Sequence, residues 1–190
     1  MAKYLNKGKE LFQETLDSLI YVDKSSLIEI LNQSIKTQDK YFCLSRPRRF
    51  GKSVTAKMLC SYYSRGVDSS SQFDNLNIAK SPSYKNHLNR YNVIFINMSL
   101  EFNDAHHDVN KMISSITSSI VDELKEAYPQ IVFNSPNKLH KCLDDVFSES
   151  NIPFVIIIDE WDRIMREKKE DGQSLKLYLE WLEGIFKDQV

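Results

Sequence analysis

Apolar residues along this chain fall into two patterns, continuous runs of about five and stripes at helical spacing, and the two alternate. Leu5, Leu11, Phe12, Leu16, Leu19 and Ile20 predict a first amphipathic helix. Leu27, Ile28, Leu31 and Ile35 predict a second, opened by a capping box of Ser26 and Glu29. Residues 41–45 (Tyr-Phe-Cys-Leu-Ser) form an apolar run of strand length, and Val54, Met58, Leu59 and Tyr62 then return to helical spacing. Residues 65–83, rich in Ser, Asp and Asn, predict a long surface connection pinned by Phe73, Leu76 and Ile78. A second run, Val93 to Asn97, is followed by a helix capped by Asp108 and carrying Val109, Ile113, Ile116, Ile120, Val121 and Leu124 on one face. Ser135-Pro136 is expected to open a further helix over 139–147, with Ser as cap. The third run, Phe154 to Ile158, precedes a charged helix or loop and a last amphipathic face of Leu175, Leu179, Leu182, Ile185 and Phe186. Three buried-type strands separated by helices predict an α/β fold with a mainly parallel sheet.

Chemistry enters at the turn after the first run. Arg46-Pro47-Arg48-Arg49-Phe50-Gly51-Lys52-Ser53 ends in the Gly-Lys-Ser of a phosphate-binding loop, and Val54 continues into the helix. In that motif backbone N–H groups surround the phosphates, the Lys reaches the β and γ groups, and the hydroxyl ligates Mg²⁺. Arg46 stands where the general motif has its first Gly, but Gly51 fills the position at which a side chain would crowd the phosphate. A basic surface turn containing Gly-Lys-Ser is the competing reading. The third run closes on Asp159-Glu160, as a Walker B strand does. Asp159 is expected to hold Mg²⁺ through its water shell and Glu160 to polarise the attacking water.

Other candidates are weaker. Asp23 and Lys24 are read as a solvated pair before a helix cap, with an approach to the base or the loop as the less favoured alternative. Glu101, Asp104, His106 and His107 lack the spacing of a metal site. Arg163 or Arg166 as a γ-phosphate sensor is an alternative to a solvated helix. Cys43, Cys60 and Cys142, odd in number and widely spaced, are read as buried thiols.

With 190 residues, 42% of them hydrophobic, the chain suffices for one sizeable core, and a formal net charge of −1 gives no global attraction to nucleic acid or membrane. Residues 40–67 nevertheless contain Lys and Arg and no Asp or Glu, which suits a polyphosphate. No apolar run reaches membrane-spanning length and the polar N-terminus lacks a signal-peptide core, so a cytoplasmic location is expected.

The run from Leu44 to Ser53, the upstream Tyr21-Val22-Asp23-Lys24-Ser25 and Asp159-Glu160-Trp161-Asp162 together resemble the predicted AAA-ATPase-like family of bacterial P-loop proteins, from about residue 15 to the end. An Arg at the first-Gly position is usual in that family. Its members often continue into a PD-(D/E)xK nuclease-like domain, which is not evident here. The resemblance implies a P-loop NTPase three-layer sandwich over residues 1–190, with a helical lead-in over about 1–38 and a nucleotide-binding core over about 39–190. The Asp-Glu pair resembles the P-loop class in which a sensor strand lies between the P-loop and Walker B strands and follows Walker B in sequence. Since no strand follows residue 186, the core is expected to be truncated before the sensor strand, with the strands at 41–45 and 154–158 roughly 9–10 Å apart.

The expected activity is Mg²⁺-dependent ATP hydrolysis, though a truncated core would be compromised in turnover by itself. Arg46, Pro47, Arg48, Arg49, Phe50, Gly51, Lys52, Ser53 and Val54 would bind ATP, Ser53 and Asp159 the metal, with Lys52 and Glu160 catalytic. The alternatives are a nucleotide-gated module without turnover, or a nucleic-acid-associated module using Arg48 and Arg49. A nucleic-acid or protein partner and a homo-oligomer stay open.

Overall fold

The structure, a computed structural model, describes residues 2–45, 47 and 49–187, and the chain divides into two compact units. One comprises residues 6–94 and the other residues 1–5 with 95–190.

In the unit of residues 6–94, α1 (Glu10–Leu16) packs on α3 (Lys52–Tyr63) and buries Phe12. Phe12 stacks on Phe73 at 5.4 Å, and Phe73 meets the ring of Tyr62 edge-on at 5.3 Å, so the aromatic groups bury a large apolar area at one point. The first helix is shorter than its stripe implied: Leu5 precedes it, while Leu19 and Ile20 lie beyond its end and are exposed. α2 (Ser26–Ser34) starts one residue earlier than the capping box requires, with Ser25 as its N-cap. The box does not form, because Glu29 Oε1 accepts from Ser81 Oγ at 2.9 Å and Ser25 Oγ accepts from Ile78 N at 3.1 Å. Both residues hold down the connection from 65 to 83, which itself contains α4 (Ser70–Phe73) and a 3-10 turn (Asn77–Lys80). Phe73 and Ile78 anchor it as expected, fully buried. α5 (Tyr84–His87) leads to Asn89, whose left-handed backbone lets its side-chain amide reach the carbonyls of Ser61, Tyr62 and Ser64.

The expected strand at 41–45 is absent. These residues adopt no regular structure, and Tyr41, Phe42, Cys43 and Leu44 are exposed. An apolar run becomes a strand only where a neighbouring backbone completes its ladder, and residues 41–45 belong to no sheet. The expected spacing between this strand and the one at 154–158 therefore loses its first member. Cys43 is consequently an exposed thiol, whereas Cys60 and Cys142 are buried as expected.

Among the described residues the sheet has two strands, β1 (Asn92–Asn97) and β2 (Phe154–Asp159), and is parallel, which fits an α/β class. β1 is buried almost throughout, while β2 is half-buried until Asp159. In the unit containing β2, Asn97 caps α6 (Met98–Asp104) by accepting from Leu100 N, and Asp108 caps α7 (Val109–Ala127) by accepting from Lys111 N. α7 packs on α6, on α8 (Leu139–Ser150) and on α10 (Gly172–Lys187), burying Val109, Ile116, Ile120, Val121 and Leu124 of the expected stripe, while Ile113 is half-buried and Met112 is buried beside it. Glu123 of α7 accepts from the backbone N–H groups of Lys3, Tyr4 and Leu5, tying the N-terminus to this unit. Ser135 does not cap α8. Lys138 N donates to Ser135 O at 2.9 Å, closing a turn through Pro136, and the helix starts only at Leu139.

Candidate functional site

The candidate phosphate loop lies in the unit of residues 6–94. Phe50 N donates to Pro47 O, Arg49 and Gly51 take left-handed conformations (φ 69° and 77°), and Gly51 is the N-cap of α3. Arg46 and Arg48 lie outside the described residues. An α-helix leaves its first-turn N–H groups without intrahelical carbonyls, and here these belong to Lys52, Ser53 and Val54. Ser53 is exposed at that turn, and Lys52 and Val54 are half-exposed. Thr55, buried, seals the turn: its N–H and its Oγ1 both donate to Gly51 O, at 2.9 and 3.0 Å.

Behind the loop α3 is rigidly seated. Met58, Cys60, Tyr62 and Tyr63 are buried; Tyr62 Oη donates to Tyr84 O at 2.6 Å and Tyr63 Oη donates to Asn32 Oδ1 at 2.8 Å. Burial pushes the Tyr62 hydroxyl up to about 12 and raises the Cys60 thiol, so neither ionises at neutral pH.

Lys24 is exposed and precedes the N-cap Ser25, as expected, but it also takes the less favoured alternative and reaches the loop. Its Nζ donates to Phe50 O at 2.6 Å and lies 2.7 Å from where a Cβ on Gly51 would sit. Asp23, its neighbour, behaves as expected of a turn residue: its carboxylate accepts from Ser25 N and Asn77 N, each at 2.8 Å. Partial burial raises the Asp23 pKa, but those hydrogen bonds outweigh it and hold the carboxyl below its ordinary value. The one available signal was the place of Lys24 in the Tyr21–Ser25 segment.

The acidic strand end lies in the other unit. β2 delivers Asp159 buried, with Oδ1 accepting from Glu160 N at 3.0 Å and Oδ2 buried without a hydrogen-bond partner among the described residues. Glu160 is left-handed (φ 57°), which turns the chain sharply into α9 (Arg163–Glu167). Arg163 N donates to Glu160 O, and the buried Tyr178 of α10 donates through Oη to Trp161 O at 2.7 Å. Arg166 spans two carboxylates: Nη2 lies 3.0 Å from Glu160 Oε2 and Nε 3.0 Å from Asp162 Oδ2. Its spacing of four from Asp162 was a legible helical ion pair; its bond to Glu160 was not. Arg163 pairs with Glu167, which His107 also approaches at 3.4 Å.

In its own unit Asp159 Oδ2 is a buried carboxylate oxygen without a donor among the described residues, an oxygen that a cation would satisfy. Among the described residues no cluster of three or more His, Cys, Asp or Glu forms a metal site. Among the described residues no helix is long and apolar enough to cross a membrane.

No curated protein and no solved structure matches the chain significantly. A family model, described as Predicted AAA-ATPase (AAA-ATPase-like), matches residues 8–188 and so covers both the loop and the acidic strand end. The chain therefore belongs to the predicted AAA-ATPase family.

Proposed function

We propose that this chain is a P-loop domain of the three-layer sandwich type that binds Mg²⁺·ATP and hydrolyses its γ-phosphate. The observation that carries the reading is the start of α3, where a left-handed Gly51 opens the helix and leaves Lys52 and Ser53 in a first turn without acidic side chains. Such a terminus attracts anions through its N–H groups and the helix dipole. Lys52 binds the β and γ phosphates and Ser53 holds the metal, with residues 46–54 forming the nucleotide cradle. Asp159 serves the metal's water shell through its unpartnered Oδ2, and Glu160 orients and deprotonates the attacking water. Bound Mg²⁺ neutralises charge developing on the phosphate oxygens.

One observation favours a second reading, a nucleotide-gated binding module without turnover. The Glu160 carboxylate is already engaged by Arg166 and is not idle in wait for water. Steady-state ATP hydrolysis with Mg²⁺, compared between the wild type and Glu160→Gln, separates the two. Hydrolysis by the wild type, cut about 10²-fold or more in the variant while ATP binding persists, supports the enzyme. Tight binding with equally negligible turnover in both supports the switch.

A further inference from the structure

The lead-in segment before α2 brings a lysine to the phosphate loop that the loop's own motif does not contain. Lys24 Nζ donates to Phe50 O at 2.6 Å, and its amine stands in the space against Gly51 that the missing side chain leaves open. Its position is built. The Asp23 carboxylate is tied to Ser25 N and Asn77 N, and Ser25, fully buried, is tied through its hydroxyl to Ile78 N. These bonds fix the backbone on both sides of Lys24 and turn the neighbouring acid to other partners.

The electrostatics are those of a cation awaiting an anion. Among the described residues no carboxylate forms an ion pair with Lys24; its partner is a neutral carbonyl, which takes one of three ammonium protons. The charges of the segment it touches are all positive, residues 40–67 containing no Asp or Glu. Adding an exposed ammonium to a basic loop costs Coulomb energy that a polyphosphate on the same loop would offset.

Resting on the P-loop reading above, we propose that Lys24 is a second phosphate-binding lysine of this site, contributed from outside the motif, which donates to the ATP phosphates with the protons that Phe50 O leaves over. The same amine lies 2.7 Å from where a Cβ on Gly51 would sit, so a side chain there would displace it.

The test is the dissociation constant of Mg²⁺·ATP, measured by calorimetry for the wild type, Lys24→Gln, Lys24→Arg and Lys52→Ala, at two ionic strengths. The expected result is about tenfold weaker binding in Lys24→Gln with a shallower salt dependence, near-wild-type affinity in Lys24→Arg, and a nucleotide-free melting temperature in Lys24→Gln lowered by no more than one exposed hydrogen bond is worth, about 2–4 °C. Affinity within twofold of wild type in Lys24→Gln overturns the proposal. So does a loss of affinity that comes with a lower nucleotide-free melting temperature and an unaltered salt dependence, which marks a brace of the loop. In both cases the P-loop reading survives if the wild type binds and Lys52→Ala does not. A wild type that binds no Mg²⁺·ATP removes that reading and this inference together.

Discussion

Gly51→Ala isolates the geometry on which the loop depends. The residue has φ +77°, and an added Cβ would fall 2.7 Å from Lys24 Nζ. A left-handed conformation costs an L-residue roughly 1–2 kcal/mol. The amine is the end of a flexible chain, so it moves aside without forcing the backbone and loses its hydrogen bond to Phe50 O. At an exposed position that bond is worth about 1 kcal/mol at most. Gly51→Ala should therefore lower stability by about 1–3 kcal/mol in all, a sum of backbone and contact terms. Urea denaturation of the wild type, Gly51→Ala, Lys24→Gln and the double variant, with unchanged m-values, measures both parts. In the Lys24→Gln background the glycine substitution should cost less by about 1 kcal/mol, the coupling energy of two groups in contact. Strict additivity would refute the contact between Lys24 and Gly51, and a Gly51→Ala variant as stable as wild type would refute the left-handed cap itself.

Two further outcomes follow from the same unit. Asp23 has its folded-state pKa held below the ordinary 3.8, so its contribution to stability is fully present above that value and is lost as pH falls through the lower folded value. Asp23→Asn should lower stability at pH 7 and flatten the decline on acidification below about pH 4, seen in denaturation midpoints across pH 2–7; parallel profiles would contradict it. Thr55→Val, nearly isosteric, removes the Oγ1 bond to Gly51 O and should cost about 1 kcal/mol in the same assay, while a neutral result would show that the backbone bond alone seals the turn.

Much of the chain was legible because its signals are local. The stripe of α7 fixes which face is buried, Asp108 supplies its own cap, and the runs at 93–97 and 154–158 are apolar enough to be strands in almost any context. The placement of Gly51-Lys52-Ser53 at the start of α3 and of Asp159-Glu160 at the end of β2 was legible for the same reason, each lying beside one readable element. What failed was non-local. The run at 41–45 has strand composition, but whether it joins a ladder depends on a neighbouring backbone that composition does not encode. Glu29 sits at the right distance for a capping box and bonds Ser81 instead, 52 residues away. Lys24 and Arg166 reach the loop and Glu160 through distances of 26 and 6 residues that no periodicity announces.

The central claim is that α3 begins at a polyphosphate site, and thermal denaturation with Mg²⁺·ATP tests it most directly. A ligand that binds only the native state at a hundredfold excess over Kd stabilises it by about 2.7 kcal/mol. For a chain of this size that is a rise in melting temperature of about 5–10 °C. The account predicts such a rise for the wild type, and a shift below about 1 °C for Lys52→Ala relative to that variant's own melting temperature without nucleotide. No shift in the wild type, or an equal shift in both proteins, would contradict it.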